Sequence, residues 1–224
     1  MKKPTTIVSI LLVLLVLSFT ACNESNSNAP ANKVPEAGTT AAGNVKTGVK
    51  PQPDAQVAVI ETADYGRIVI ELYPNIAPLH VERFKKLTNE KFYDGTAIHR
   101  VDPNLGIIQG GDPNSKSGNP ATWGMGNSPY PNVPAEFSDI PYERGTLGAA
   151  RTQDINGANC QWFITLKKQP AFDKKYTVFG KVIDGIKNAE VIMTAPTQQG
   201  SERPADKVVI KSVTLQPRTN FPSQ

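Results

Sequence analysis

The sequence predicts a mainly β fold in which short antiparallel strands close into a barrel. Many short runs rich in β-branched residues follow one another from residue 55 onward, and only two segments show helical spacing. The chain also lacks the regular alternation of strand and helix that a parallel sheet requires. Short strands separated by turn signals are typical of sandwiches and barrels, and we favour a closed antiparallel barrel.

Each predicted element rests on a local pattern. In the strand expected at residues 67–72, Ile68, Ile70 and Leu72 alternate with Arg, Val and Glu, so one face is more apolar, and a turn signal precedes the strand. Pro78 suits the first turn of a helix, and apolar residues then recur at helical spacing to residue 89. The further expected elements are strands at 56–61, 96–101, 106–111, 146–151, 161–166, 176–182 and 207–215, a loop at 112–134 and a second helix at 185–193.

Composition limits the classes of protein and of partner. The 224 residues fit one domain of about 150–200 residues with a tail. The 24 Lys and Arg residues exceed the 20 Asp and Glu residues by only four, and no basic run stands out, so nucleic acid is not expected as a partner. Two cysteines and two histidines are too few for a disulfide scaffold or a zinc site. The oligomeric state is left open by the sequence, with a monomer as the default expectation.

The N-terminus has the pattern of an export signal. Lys2 and Lys3 precede an apolar run at residues 7–17, which is shorter than the roughly 20 residues needed to span a bilayer. Small residues then lead into Cys22, which resembles the lipobox of bacterial lipoproteins. We predict a lipoprotein signal peptide at 1–21 and a lipidated Cys22 carrying palmitate. This anchor would place the protein outside the cytoplasm, on the periplasmic face of a membrane or the cell surface. The alternative is ordinary cleavage after Ala21, which would release a soluble protein.

Residues 22–54 are predicted to be a disordered tether. They are rich in Asn, Ser, Ala, Gly and Pro and show no apolar periodicity. Such a composition cannot bury enough apolar surface to offset the entropy of ordering the chain. The folded domain is therefore expected at 55–217, followed by a short C-terminal tail at 218–224.

Two other chemistries can be weighed from the residues. Cys160 with His99 would make a nucleophile–base pair, but Cys160 lies in a strand-like run, and we favour a core position for it. The segment that begins at Asp112 superficially resembles a calcium loop, yet Lys116 occupies a ligand position and Trp123 stands where a bidentate Glu is needed.

The remaining motifs resemble the cyclophilin family of peptidyl-prolyl isomerases. The resemblance extends from about residue 57 to residue 215, and it implies an eight-stranded antiparallel barrel capped by two helices. The motifs that carry it are His99-Arg100, Gln109-Gly110-Gly111-Asp112, Gln161-Trp162-Phe163-Ile164 and Val178-Phe179-Gly180.

The resemblance implies roles for individual residues and no metal or cofactor. Arg100 matches the family's catalytic arginine, and Gln109 matches the glutamine that orients substrate and arginine. The other positions are expected to bind the substrate, a proline-containing polypeptide segment of an exported protein: Leu105, Ile107, Ala150, Arg151, Gln161, Phe163, Phe172 and Tyr176.

The sequence departs from the family pattern in three places. Leu105-Gly106 stands where a Phe normally forms the pocket floor, and the stretch from Arg100 to Gln109 contains one extra residue. The stretch from residue 151 to 161 is also one residue longer than in the best-known eukaryotic members. Ala171 replaces the aromatic residue, commonly Trp, that helps to bind cyclosporin, so we expect weak inhibition by that drug.

The implied reaction is rotation about X–Pro peptide bonds. It needs no nucleophile or metal, because no bond is broken and the enzyme has only to bind the twisted state most tightly. An alternative is a low-activity binding module or chaperone for proline-containing segments, in which Leu105-Gly106 weakens the pocket floor.

Overall fold

The computed structural model describes residues 44–117 and 119–221, among which nine strands form one antiparallel sheet. The strands are β1 (Gln56–Thr62), β2 (Arg67–Leu72), β3 (Ala97–Ile98), β4 (Arg100–Asp102), β5 (Ile107–Gly110), β6 (Thr146–Ala149), β7 (Trp162–Thr165), β8 (Val178–Asp184) and β9 (Val208–Pro217). The helices are α1 (Pro78–Asn89) and α2 (Ile186–Met193).

The sheet closes on itself through a single residue. Its order is β3-β9-β1-β2-β8-β6-β7-β5-β4, so the two edge strands are β3 and β4. These strands are consecutive in the chain and are joined by His99, whose amide donates to the Gln109 carbonyl at 3.0 Å. Counted as one interrupted strand, they make the eight-stranded barrel that the sequence predicts, and the mainly β prediction is confirmed.

Large apolar side chains fill the barrel, and both helices pack onto it. From α1, Phe84 lies with its ring centroid 5.8 Å from that of Phe179 and 5.2 Å from that of Tyr93. From α2, Ala189 and Ile192 are fully buried. Both helices therefore contribute apolar side chains to the core, as helices that cap a barrel must.

One predicted boundary needs correction, because residues 44–54 are packed against the barrel. Lys46 exchanges backbone hydrogen bonds with the segment at 137–139, and its Nζ donates to the Ile76 carbonyl at 2.7 Å. The Asp54 amide donates to the Leu72 carbonyl at 2.9 Å, and the Asp54 carboxylate pairs with Lys85. Composition does not reveal these contacts, because they depend on backbone groups that any residue carries. We call residues 44–54 the N-terminal strap.

The C-terminal boundary and two strand ends also differ. Arg218–Asn220 form a short 3₁₀ turn after β9, and Arg218 pairs with Glu71 at 2.9 Å, so part of the predicted tail belongs to the fold. Tyr176 precedes β8, because its amide donates to the Phe172 carbonyl in a turn. Arg151 likewise lies beyond the end of β6.

The predicted signal peptide, Cys22 and the tether before residue 44 lie outside the described residues. Within the part of the chain that the structure describes, neither helix has the length and apolar content needed to cross a membrane.

Candidate active site

Cross-strand register brings distant sequence motifs into one row on the outer face of the barrel. Arg100 on β4 is paired with Gln109 on β5, and Gln109 is paired with Phe163 on β7. Phe163 is in turn paired with Gly148 on β6. The site therefore spans four adjacent strands, and each supplies one member of the row.

Successive side chains of a strand point to opposite faces of the sheet, so site residues alternate with core residues along each strand. On β5, Ile107 belongs to an outer cluster, whereas Ile108 is buried among the barrel core residues. Gly148 has no side chain in this row, and a Cβ there would lie 2.4 Å from Cζ of Phe163 and 2.6 Å from the Tyr142 hydroxyl. The missing side chain makes room for the Phe163 ring.

Four aromatic rings form the wall beside this row. Phe163 stacks on Tyr142 with centroids 5.6 Å apart, and it meets Phe172 edge-on at 5.6 Å. Tyr176 completes the group, with its centroid 5.1 Å from Phe172 and 5.7 Å from Phe163. Such edge-to-face contacts hold rings in defined orientations. The cluster is a preformed apolar surface.

The Arg100 guanidinium lies at the other end of the row and is held on several sides. Its side chain is 33% exposed. Nη2 donates to Asp102 Oδ2 at 3.0 Å, Nε donates to Glu202, and Nη1 lies 3.4 Å from Gln109 Oε1. Burial alone would raise the pKa of Asp102, but the Leu105 amide, which donates to it, and the Arg100 charge keep the pKa below its ordinary value.

A chain of amide hydrogen bonds continues from Gln109. Its Nε2 donates to Gln161 Oε1 at 3.0 Å, and Gln161 Nε2 donates to the carbonyls of Gly124 and Gly126. The buried Asp112 carboxylate accepts from the Gly124 amide. This network fixes the side chain of Gln109 and the loop beside it.

Together these residues form an open groove of about 560 Å³. Gln161 instead lines an adjoining groove of about 340 Å³, which also borders on Gln109, Ala150 and Arg151. The structure thus brings the predicted site residues together, apart from Cys22, which it does not describe. Those that line the first groove are Arg100, Leu105, Ile107, Gln109, Ala150, Arg151, Phe163, Phe172 and Tyr176.

Sequence reasoning missed the residues that loops bring to the groove. Trp123, Glu202 and Arg203 all line it. The Arg203 guanidinium lies 5.8 Å from the Trp123 ring, although about 80 residues separate them. No local signal in the sequence joins these residues, because their proximity depends on how two long loops fold over the barrel.

The extra residue before Gln109 is absorbed by a turn. Asp102 is paired with Ile107 across the hairpin, so the pairing of Arg100 with Gln109 is unaffected. Gly106 has a φ of 64°, a left-handed conformation that favours glycine. Leu105 is half-buried and packs against the outer apolar cluster. It also lines the groove.

Cys160 has the environment of a core residue. It is buried, and burial raises the pKa of its thiol to about 12. Its Sγ donates to the Gly126 carbonyl at 3.8 Å, and burial lowers the pKa of His99. Among the described residues, no group of three or more His, Cys, Asp or Glu side chains is arranged to hold a metal ion.

The fold and the site define a class of antiparallel β-barrels that carry an arginine and an apolar ring cluster beside an open groove. Comparisons with known proteins identify the family. Residues 57–215 match the family model described as "Cyclophilin type peptidyl-prolyl cis-trans isomerase/CLD". The chain belongs to this family of isomerases.

Two relatives and one solved structure illustrate the similarity. A probable peptidyl-prolyl cis-trans isomerase of Brucella suis is 38% identical over 172 residues, which cover 75% of this chain and 86% of the relative. Peptidyl-prolyl cis-trans isomerase-like 3 of Gallus gallus is 34% identical and covers 71% of this chain and 96% of its own. A Cryptosporidium parvum cyclophilin type isomerase, crystallised in the presence of the dipeptide Ala-Pro, has a TM-score of 0.63 and 28% identity over 71% of this chain and 98% of its own.

Proposed function

We propose that this isomerase accelerates rotation about X–Pro bonds by stabilising the twisted peptide with the Arg100 guanidinium. An amide bond resists rotation by about 18–20 kcal/mol because the nitrogen lone pair is delocalised. As the bond twists, that lone pair localises and becomes a hydrogen-bond acceptor. A guanidinium fixed beside it then gains an interaction that is absent from the planar states, which is the condition for raising the rate.

The apolar cluster is proposed to hold the proline ring. Phe163, Phe172 and Ile107 present an apolar surface beside the Arg100–Gln109 pair, and they would exclude water from the twisting bond. The Ala-Pro dipeptide with which the Cryptosporidium parvum protein was crystallised supports a proline-containing peptide as the ligand. The observation that carries the proposal is the register that sets Arg100, Gln109 and Phe163 in one row.

The test is exchange NMR of an Ala-Pro peptide with the protein beginning at Asn23, compared with the same protein carrying Arg100→Ala. Removing one donor of this kind usually lowers the rate about a hundredfold or more. We expect that loss with little change in peptide affinity. A matched control is Arg144→Ala, because Arg144 also donates to a glutamate but lies outside the groove.

The possible outcomes separate the proposal from its alternative. Peptide binding without acceleration in the unmodified protein would favour a binding module, and Leu105→Phe would then be expected to raise turnover by rebuilding the pocket floor. Full activity in Arg100→Ala would contradict the proposed role of Arg100 but not the conclusion that the protein is an isomerase.

We also propose that the substrates are exported proteins, which the enzyme meets as a lipid-anchored monomer outside the cytoplasm. The support is the basic start, the short apolar run and the small residues before Cys22. Expression in a bacterium with labelled palmitate tests this, with Cys22→Ser as the control. We expect label in a membrane-bound protein only when Cys22 is present. An unlabelled, soluble exported protein that begins at Cys22 would instead indicate ordinary cleavage after Ala21.

A further inference from the structure

Arg100 carries two carboxylate contacts that the proposed reaction leaves unexplained. Asp102 lies two residues further along the same strand, and its side chain is 5% exposed. Glu202 comes from the loop between α2 and β9, and its side chain is 51% exposed. One carboxylate therefore approaches Arg100 from the barrel wall and the other from a distant loop.

The two contacts occupy different nitrogens of the guanidinium. Asp102 accepts from Nη2 and Glu202 accepts from Nε, so both nitrogens on one edge of the group are engaged. Nη1 lies beside Gln109, whose oxygen is at the long distance of 3.4 Å. A guanidinium has five N–H donors in a rigid plane. Fixing one edge of that plane therefore determines where the remaining donors point.

The loop that supplies Glu202 is itself held in place. The Glu202 carbonyl accepts from the Val101 amide at 2.7 Å, next to Arg100 in the chain. The Gln198 amide donates to the Arg203 carbonyl at 2.9 Å, which closes the loop at its base. Arg203 also donates to the Pro120 carbonyl. Glu202 thus lies on a loop that hydrogen bonds hold in place, although its side chain is exposed.

We propose that Asp102 and Glu202 are positioning residues that orient Arg100 so that its Nη1 edge, beside Gln109, can meet the twisted peptide bond. An exposed ion pair contributes little to folding stability, so the effect of Glu202 is expected in turnover. Displacing a reacting group by about 1 Å from its best position can lower the rate about a hundredfold. This inference rests on the proposed catalytic role of Arg100.

The first test is kinetic and uses the protein beginning at Asn23. Glu202→Gln removes the negative charge and is expected to lower kcat and kcat/KM together by roughly tenfold with KM unchanged, because only the transition state uses the orientation of Arg100. Asp102→Asn is expected to act in the same direction. Glu190→Gln is the control, because Glu190 also accepts from an arginine Nε but lies on α2 outside the groove.

A double-mutant cycle shows whether Glu202 acts through Arg100. In the Arg100→Ala background, Glu202→Gln is expected to cause no further loss of kcat, since there is no guanidinium left to orient. An equal tenfold loss in both backgrounds would overturn the inference. Unchanged turnover in Glu202→Gln with the arginine present would overturn it as well.

A second readout does not depend on activity. The Arg100 Nε–H resonance in an NMR spectrum is expected to be shifted and protected from exchange with water in the unmodified protein. Both features should be lost in Glu202→Ala, which removes the acceptor that a glutamine would still supply. If Arg100→Ala keeps full activity while this resonance behaves as expected, the proposed catalytic role of Arg100 is wrong, although the hydrogen bond between Arg100 and Glu202 is supported. If the resonance shows no protection, the positioning inference fails.

Discussion

At the scale of single residues, Gly148 determines the position of the Phe163 ring. A Cβ at this position would come within 3 Å of ring atoms of Phe163 and of the Tyr142 hydroxyl. Neither neighbour can withdraw easily, because both rings pack against Phe172 as well. The shape of the pocket therefore depends on a residue that has no side chain.

We expect Gly148→Ala to lower the free energy of unfolding by about 1–3 kcal/mol, the usual range for overpacking. Turnover of the Ala-Pro peptide should fall with it, because the Phe163 ring must move. Urea unfolding measures the first effect. In a Phe163→Leu background the same substitution should be less destabilising, since Cζ of the ring is gone. Equal losses in the two backgrounds would contradict this explanation.

Cys160 provides a second prediction at this scale. Burial raises the pKa of the thiol to about 12, so the reactive thiolate is scarce near neutral pH. In the protein beginning at Asn23, iodoacetamide at about pH 8 should leave the folded chain unmodified and label it only after unfolding in guanidinium. Cys160→Ala should keep kcat/KM within about twofold. Rapid labelling of the folded protein with loss of activity would instead indicate a cysteine nucleophile.

At the scale of secondary-structure elements, Glu136 supplies the N-terminal cap of α1 from a distant loop. Its carboxylate accepts from the amides of Leu79 and His80 and lies 2.8 Å from Nδ1 of His80. The residue before the helix, Ala77, has no side chain that can cap. Acidic groups at a helix N-terminus are also favoured by the helix dipole.

The cap makes stability depend on pH. Burial alone would raise the pKa of Glu136, but the hydrogen bonds from His80 and Leu79 outweigh it and hold the pKa below its ordinary value of 4.5. The ionised carboxylate therefore stabilises the folded state above about pH 4.5, and this contribution is lost as the pH falls through the lower folded-state pKa.

Urea unfolding of Glu136→Gln and of the unmodified protein tests this. Near neutral pH we expect the variant to be less stable by about 1–2 kcal/mol, the range for losing a cap or a charged hydrogen bond. The difference should shrink as the pH falls below about 4.5 and through the lowered folded-state pKa of Glu136. A difference that is constant over this range would show that the charge of Glu136 plays no part.

At the scale of the whole molecule, the N-terminal strap extends the folded unit to residue 44. The Gly48 amide donates to Asp139, the Gln52 amide donates to Asn75, and Lys85 pairs with Asp54. These contacts join residues far apart in sequence. They hold the strap across the segment at 137–139 and the end of β2.

Truncation measures the contribution of the strap. A protein that begins at Ala55 is expected to be less stable than one that begins at Asn44 by roughly 2 kcal/mol, since several net hydrogen bonds are lost and some chain entropy is regained. Turnover of the Ala-Pro peptide should change by less than about twofold, because the strap does not line the groove. Equal stability would mean that the domain begins at residue 55, as composition predicts.

Local sequence determined most strands, α1 and the motifs of the site. The alternation along residues 67–72 and the helical spacing from Pro78 involve only neighbouring residues. They therefore predict β2 and α1 without knowledge of the tertiary structure. The roles assigned to Arg100 and Gln109 came from their resemblance to a family pattern and remain proposals. The tertiary structure decided that these two residues pair directly across the hairpin despite the extra residue between them.

Only the tertiary structure revealed the strap, the Glu136 cap and the second carboxylate on Arg100. Each joins segments that are far apart in the chain, as Glu202 and Arg100 are. Each also depends on backbone hydrogen bonds or on how a loop folds over the barrel. Neither kind of contact produces a periodic pattern in the sequence. Local patterns indicate which face of an element is buried. The partner of an exposed polar group, in contrast, depends on how distant segments of the chain are brought together in the fold.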